Sequence, residues 1–163
     1  MTQKIYEFTL PDSGVKVRVK GIATSVVAMD VVSGSPKPPP PIAKVDYGGG
    51  DIRYEPNPAD PDYINIVLPE WENEVELKRT RLTLKRALVK NLSDEEKDAV
   101  KEVRDDYLDE GITLERSDKM VWLKHLACGS DRDLVELFKF IGERGEPNSK
   151  PARDSFQGNV SGS

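Results

Sequence analysis

Apolar side chains alternate with polar ones near the start of the chain. Ile5, Phe8 and Leu10 precede Pro-Asp-Ser-Gly at 11–14, and Val15, Val17 and Val19 then fall two apart with Lys16, Arg18 and Lys20 between them. A period of two around a turn signal predicts a β-hairpin with one apolar face. In TSVVAMDVV (24–32) Thr24 or Ser25 can act as a helix N-cap, while the β-branched valines keep strand as a competitor. A short helix is the expected form.

Residues 35–63 carry eight of the twelve prolines and a triple glycine. Pro38 to Pro41 fix φ and remove four amide donors, so this run is expected as an extended polyproline II spacer. Ala43, Val45 and Tyr47 alternate up to Gly48-Gly49-Gly50, and Ile52 and Tyr54 alternate after it, which predicts a second small hairpin over 42–55. Pro56, Pro58 and Pro61 end it, and Asp60 can cap a helix with Pro61 at its first position.

From Asp60 onward the period becomes helical, with Leu68, Trp71, Val75, Leu82 and Val89 at three-, four- and seven-residue spacings. Pro69 either kinks this helix or marks where it restarts. Ser93-Asp94-Glu95-Glu96 matches a capping box, followed by Ala99, Val103 and Tyr107 and stopped by Gly111. Ser117 opens a helix with Val121, Trp122, Leu123 and Leu126, ended by Gly129. Ser130 opens a last one with Leu134, Leu137, Phe138 and Ile141. Beyond Gly142 the composition turns to Gly, Ser, Asn and Pro, which predicts a flexible tail whose removal after Ile141 leaves stability nearly unchanged. The expected fold is α+β, organised as 1–34 (hairpin and short helix), 35–59 (spacer and small hairpin), 60–141 (helical) and 142–163 (tail).

At 163 residues, 37% hydrophobic and 33% charged, the chain has room for a modest core. A net charge of −5 with interleaved bases argues against a general grip on nucleic acid. The single cysteine, Cys128, forms no internal disulfide. MTQKIYEFTL lacks the apolar region of a secretory signal, and no apolar run reaches the roughly 18 residues of a membrane span, so a cytoplasmic protein is expected.

Chemistry-bearing patterns are sparse. His125 and Cys128 are three apart, but a metal site needs three or four ligands and the sequence holds no second His or Cys. Neither an orienting acid nor an oxyanion loop accompanies them as a nucleophilic pair. The triple glycine lacks a following Lys-Ser or Lys-Thr, so it reads as a turn rather than a phosphate cradle. Neither a catalytic residue, a metal site nor a cofactor is expected. Charge is more informative: Glu stands at 70, 72, 74 and 76, residues 78–90 hold six Lys or Arg, and residues 94–110 hold nine acids against three bases. A basic helix followed by an acidic one suggests an antiparallel pair with compensating faces, or a surface for a charged helical partner.

The run PPPPIAKVDYGGG, then EPNPADPDY, then Trp71-Glu72, and finally DSFQGNV at 154–160 resemble a family of small proteins encoded among the tail genes of long-tailed bacteriophages and prophages, the tail assembly chaperones. The resemblance spans roughly residues 15 to 162, and Pro-Asn-Pro-Ala-Asp-Pro-Asp-Tyr at 56–63 is its most specific part. The chain departs from it after Tyr63, where Ile-Asn-Ile-Val-Leu-Pro replaces an Ala-rich helix. The resemblance implies a non-enzymatic chaperone in the host cytoplasm that binds the helical tape measure protein before tail assembly. A minor tail or connector protein retained in the virion is the alternative, and self-association is left open. On this reading Trp71, Val75 and Leu82 of the long helix and Leu134, Leu137, Phe138 and Ile141 of the last one are candidate partner-binding residues, each also suited to an ordinary core.

Overall fold

A computed structural model describes residues 3–146. The architecture is α+β, as the periodicities predict, with two small antiparallel sheets and five α-helices among the described residues. It divides into two units: the described parts of Met1–Ser25 and Thr80–Ser163 form one, and Val26–Arg79, inserted between them in sequence, forms the other.

The first unit holds a three-stranded sheet of β1 (Ile5–Thr9), β2 (Lys16–Lys20) and β5 (Leu88–Val89) in the order β1-β2-β5. The hairpin register sets Tyr6 across from Val19 and Phe8 across from Val17, so these four share a face. Ile5, expected with Phe8, lies three residues from it and so points to the other side, 39% exposed. On the apolar face Phe140 meets Phe8 at 4.7 Å and Tyr6 edge-on at 6.2 Å. Phe140 belongs to α5 (Asp131–Gly145), which buries Leu137 and Ile141 completely. The predicted tail therefore begins too early: residues 142–145 continue α5, and the rest of the expected tail, 147–163, lies outside the described residues.

Helix α3 (Asp94–Asp109) forms where its capping box places it. Ser93 Oγ accepts from the Glu96 amide, the Glu96 carboxylate accepts from the Ser93 amide, and Gly111 ends the helix at φ 77°. It packs on α4 (Asp118–Trp122) and the π-helical turn Leu123–Ala127, not along the basic helix as an antiparallel pair. The physical reason is Leu88–Val89. Expected as the helix end, this pair is a strand that sets Val89 across from Arg18 and turns the chain before α3 begins. Arg104 of α3 reaches the Asp118 carboxylate at 2.8 Å and the carbonyls of Glu115 and Arg116.

The second unit opens in α1 (Thr24–Gly34), where helix prevails over strand because Val27 and Val31, four apart, are both buried. The proline run that follows belongs to no helix or strand, yet it is tied to the rest of its unit. Its carbonyls remain acceptors although its amides are gone: Tyr63 donates its hydroxyl to the Pro38 carbonyl at 2.7 Å, and the Asn57 amide donates to that of Pro41 at 2.8 Å. Just before the run, Trp71 Nε1 donates to the Ser35 carbonyl and Lys78 Nζ to the Ser35 hydroxyl, both at 2.8 Å.

Strands β3 (Ile42–Asp46) and β4 (Ile52–Pro56) form the second hairpin around Gly48, Gly49 and Gly50, all at positive φ. Asp60 then caps the next helical run, accepting from the Tyr63 amide at 3.0 Å. This run is continuous through Pro69: a π-helical turn, Tyr63–Val67, passes directly into α2 (Leu68–Ala87). The wider turn is where the ladder absorbs a proline that cannot donate.

Candidate interaction surface

Most apolar side chains of the first unit are inside it, whereas those of the second are largely outside. Of the buried apolar residues, fifteen belong to the first unit and three, Val27, Val31 and Tyr63, to residues 26–79. Of the exposed large apolar residues the second unit supplies eleven and the first six, among the described residues. On α1, Val26, Met29 and Val32 point to solvent at a spacing of three, with Met29 71% exposed. Along the next helical run Ile64, Ile66, Val67 and Leu77 are exposed, and on the hairpin Ile42, Ile52 and Tyr54. The exposed apolar surface is thus concentrated in one short segment of the chain, the kind of feature that marks a candidate contact surface.

The residues expected to bind a partner divide between core and surface. Leu137 and Ile141 are fully buried, so in this conformation they hold α5 to its own unit. Leu134 and Phe138 flank them half-buried. Trp71 and Val75 are half-buried, the indole engaged by Ser35. Leu82 is exposed, since the buried positions of its helix segment are Thr83, Leu84 and Ala87. The α1 face and the exposed side of the π turn carry more apolar surface than any of these. Sequence periodicity missed them because both segments are apolar nearly all round and leave no polar stripe to mark the outside.

Several polar groups outside that surface have structural partners. Asp133 is buried, yet each carboxylate oxygen is engaged: Oδ1 accepts from the Asp12 amide at 2.7 Å, and Oδ2 from the amides of Gly129 at 2.8 Å and Ser13 at 3.2 Å. Burial alone would raise its pKa; the amides of Asp12, Gly129 and Ser13 outweigh that and hold it below the ordinary aspartate value. The Ser130 hydroxyl and Arg132 both engage the Asp12 carboxylate. His125 Nδ1 stands 3.5 Å from the Tyr107 hydroxyl, the two rings edge to face.

Cys128 lies past the end of the π turn in extended backbone, so it shares no helix face with His125. Burial, and next the Asp133 carboxylate, push its thiol up to about 11, leaving little thiolate at neutral pH. Among the described residues no group of His, Cys, Asp and Glu is arranged to hold a metal ion, and no helix is long and apolar enough to cross a membrane. Compared with protein-family models, curated proteins and solved structures, the chain matches none.

Proposed function

We propose that this chain is a non-enzymatic tail assembly chaperone of a long-tailed phage or prophage, and that in the host cytoplasm it covers apolar helical segments of the tape measure protein. The reading rests on the sequence resemblance, and one structural observation supports it: exposed apolar side chains are concentrated in Val26–Arg79. A holding chaperone needs apolar surface available in its free state, rimmed by charge and shallow enough for release. The helix-borne residues Val26, Met29, Val32, Ile64, Ile66 and Leu77 supply the apolar part. Glu70, Glu72 and Asp30 supply exposed charge in the same unit.

Co-expression tests the reading directly, since covering apolar segments stops them from self-associating. The soluble fraction of the tape measure protein should rise with this chain, and the chain should be absent from finished virions by mass spectrometry. Presence in virions at a fixed ratio identifies a minor tail or connector protein instead.

A further inference from the structure

Strand β3 of the second hairpin has a free edge with one self-complementary register. The Tyr47 amide donates to the Asp51 carbonyl and the Asn57 amide to that of Pro41, which turns the odd-numbered positions 41, 43, 45 and 47 toward β4. The amides and carbonyls of Ile42, Lys44 and Asp46 therefore face away from β4, and among the described residues the sheet has no third strand. On the β4 side Pro56 blunts the outer edge because it has no amide. No proline interrupts Ile42–Asp46. The two faces differ as well. One is dressed by Tyr47, whose hydroxyl donates to Glu55 at 2.7 Å and whose ring lies under Arg53 at 4.7 Å. The other presents Ile42 (63% exposed), Tyr54 (70%) and Ile52 beside Lys44 and Asp46. A two-stranded ribbon with bare edges is marginal in water and gains from further strands.

We infer that the β3 edge pairs antiparallel with the β3 edge of a second copy of this chain, about a two-fold axis at Val45, with Lys44 of each copy across from Asp46 of the other. Charge selects this register. Shifted by one residue on each strand, Lys44 faces Lys44; shifted further, it faces Ile42 and Asp46 loses its cation. Only the register centred on Val45 sets outward-facing backbone groups opposite one another and opposes two pairs of unlike charge. The product is a four-stranded sheet, β4-β3-β3-β4, with both Ile42, Ile52 and Tyr54 clusters on the same face. The inference does not rest on the chaperone reading, because it concerns the free protein.

Sedimentation velocity of the full chain tests it at about 10 to 500 µM, a range suited to an interface of this small size. Wild type should pass from monomer to dimer as concentration rises. Lys44→Asp and Asp46→Lys, each alone, should weaken self-association about tenfold. Mixed, these two variants should associate with each other, because both cross-strand pairs are then of unlike charge.

A second arm does not depend on the stability of the charge variants. The two Val45 positions form a non-hydrogen-bonded pair with Cα atoms about 4.5 Å apart, within disulfide reach. In a Cys128→Ser background, Val45→Cys should therefore link two copies when diamide accepts the two electrons, and Ala43→Cys should not. A chain that stays monomeric throughout the range, charge variants that dimerise like wild type, or cross-linking at 43 as efficient as at 45 would each overturn the inference.

Discussion

The amide nitrogen of Asp12 lies 2.7 Å from the carboxylate of Asp133, 121 residues later in the chain. With the Ser13 and Gly129 amides on the same carboxylate, this contact ties the first hairpin turn to the start of α5. Replacing Asp133 with Ala removes the acceptor for three amides around a buried position, and orphaned buried donors are costly. Asp133→Ala should lower the melting temperature by roughly 5 to 10 °C, and calorimetry checks this. Asp131→Ala, at an exposed position one residue into the helix, should change it little.

Acid should act through the same carboxylate. Its pKa is depressed in the folded protein, so its contribution is fully present above the unfolded value, near about 3.9, and is lost as pH falls through the folded one. Glu96, lowered by Lys90 and then by the Ser93 amide, has the same sign. Stability should hold down to about pH 5 and fall steeply below about pH 4, and Asp133→Asn should make that fall shallower. Melting temperatures across a pH series read both slopes.

The end of α5 should prove structural. A side chain on Gly145 would collide with the Ile22 backbone, and one on Gly21 with the Arg144 carbonyl, so two main chains touch here. The Ile22 amide also donates to the Ile141 carbonyl, and the Arg144 guanidinium lies 4.7 Å from the Phe140 ring. Gly145→Ala should cost about 1 to 3 kcal/mol in urea unfolding. Truncation after Ile141, harmless on the sequence expectation, should lower the melting temperature clearly, because it deletes that contact.

Client binding and folding should separate by mutation. Met29→Asp and Ile66→Asp alter exposed positions, so the isolated protein should stay folded within about 0.5 kcal/mol while solubilisation of a tape measure client falls. Leu137→Ala, at a fully buried position, should cost about 2 to 5 kcal/mol and reduce solubilisation only through unfolding. Circular dichroism alongside the co-expression assay distinguishes the two. Moderate salt should weaken the encounter without abolishing it, since rim charges steer while apolar burial holds.

Local signals were legible in the sequence because their partners are close in the chain. Ser93 and Glu96, three residues apart, cap a helix, Asp60 reaches the Tyr63 amide, and Gly48–Gly50 close a hairpin between adjacent strands. Long-range roles were not. Val89 continues a helical spacing and becomes a strand only because β2 offers an edge about seventy residues earlier in the sequence. Asp133 reads as a polar residue of a first helical turn, and nothing local marks it as the acceptor for Asp12. The stripe Leu134, Leu137, Phe138 and Ile141 was legible as apolar, but period alone does not say that Leu137 and Ile141 are fully covered while Met29 is open.

The insertion of Val26–Arg79 within the other unit fixes an order of events during synthesis. The hairpin at residues 5–20 is made before α5 but cannot be anchored until Asp133 has been made, a wait of roughly 6 to 24 s at about 5 to 20 residues per second. Val26–Arg79 needs nothing synthesised after Arg79 to complete its own contacts. On the chaperone reading, the segment bearing the open apolar surface is completely synthesised while its host unit still lacks a helix, so engagement of a client does not have to await the rest of the chain.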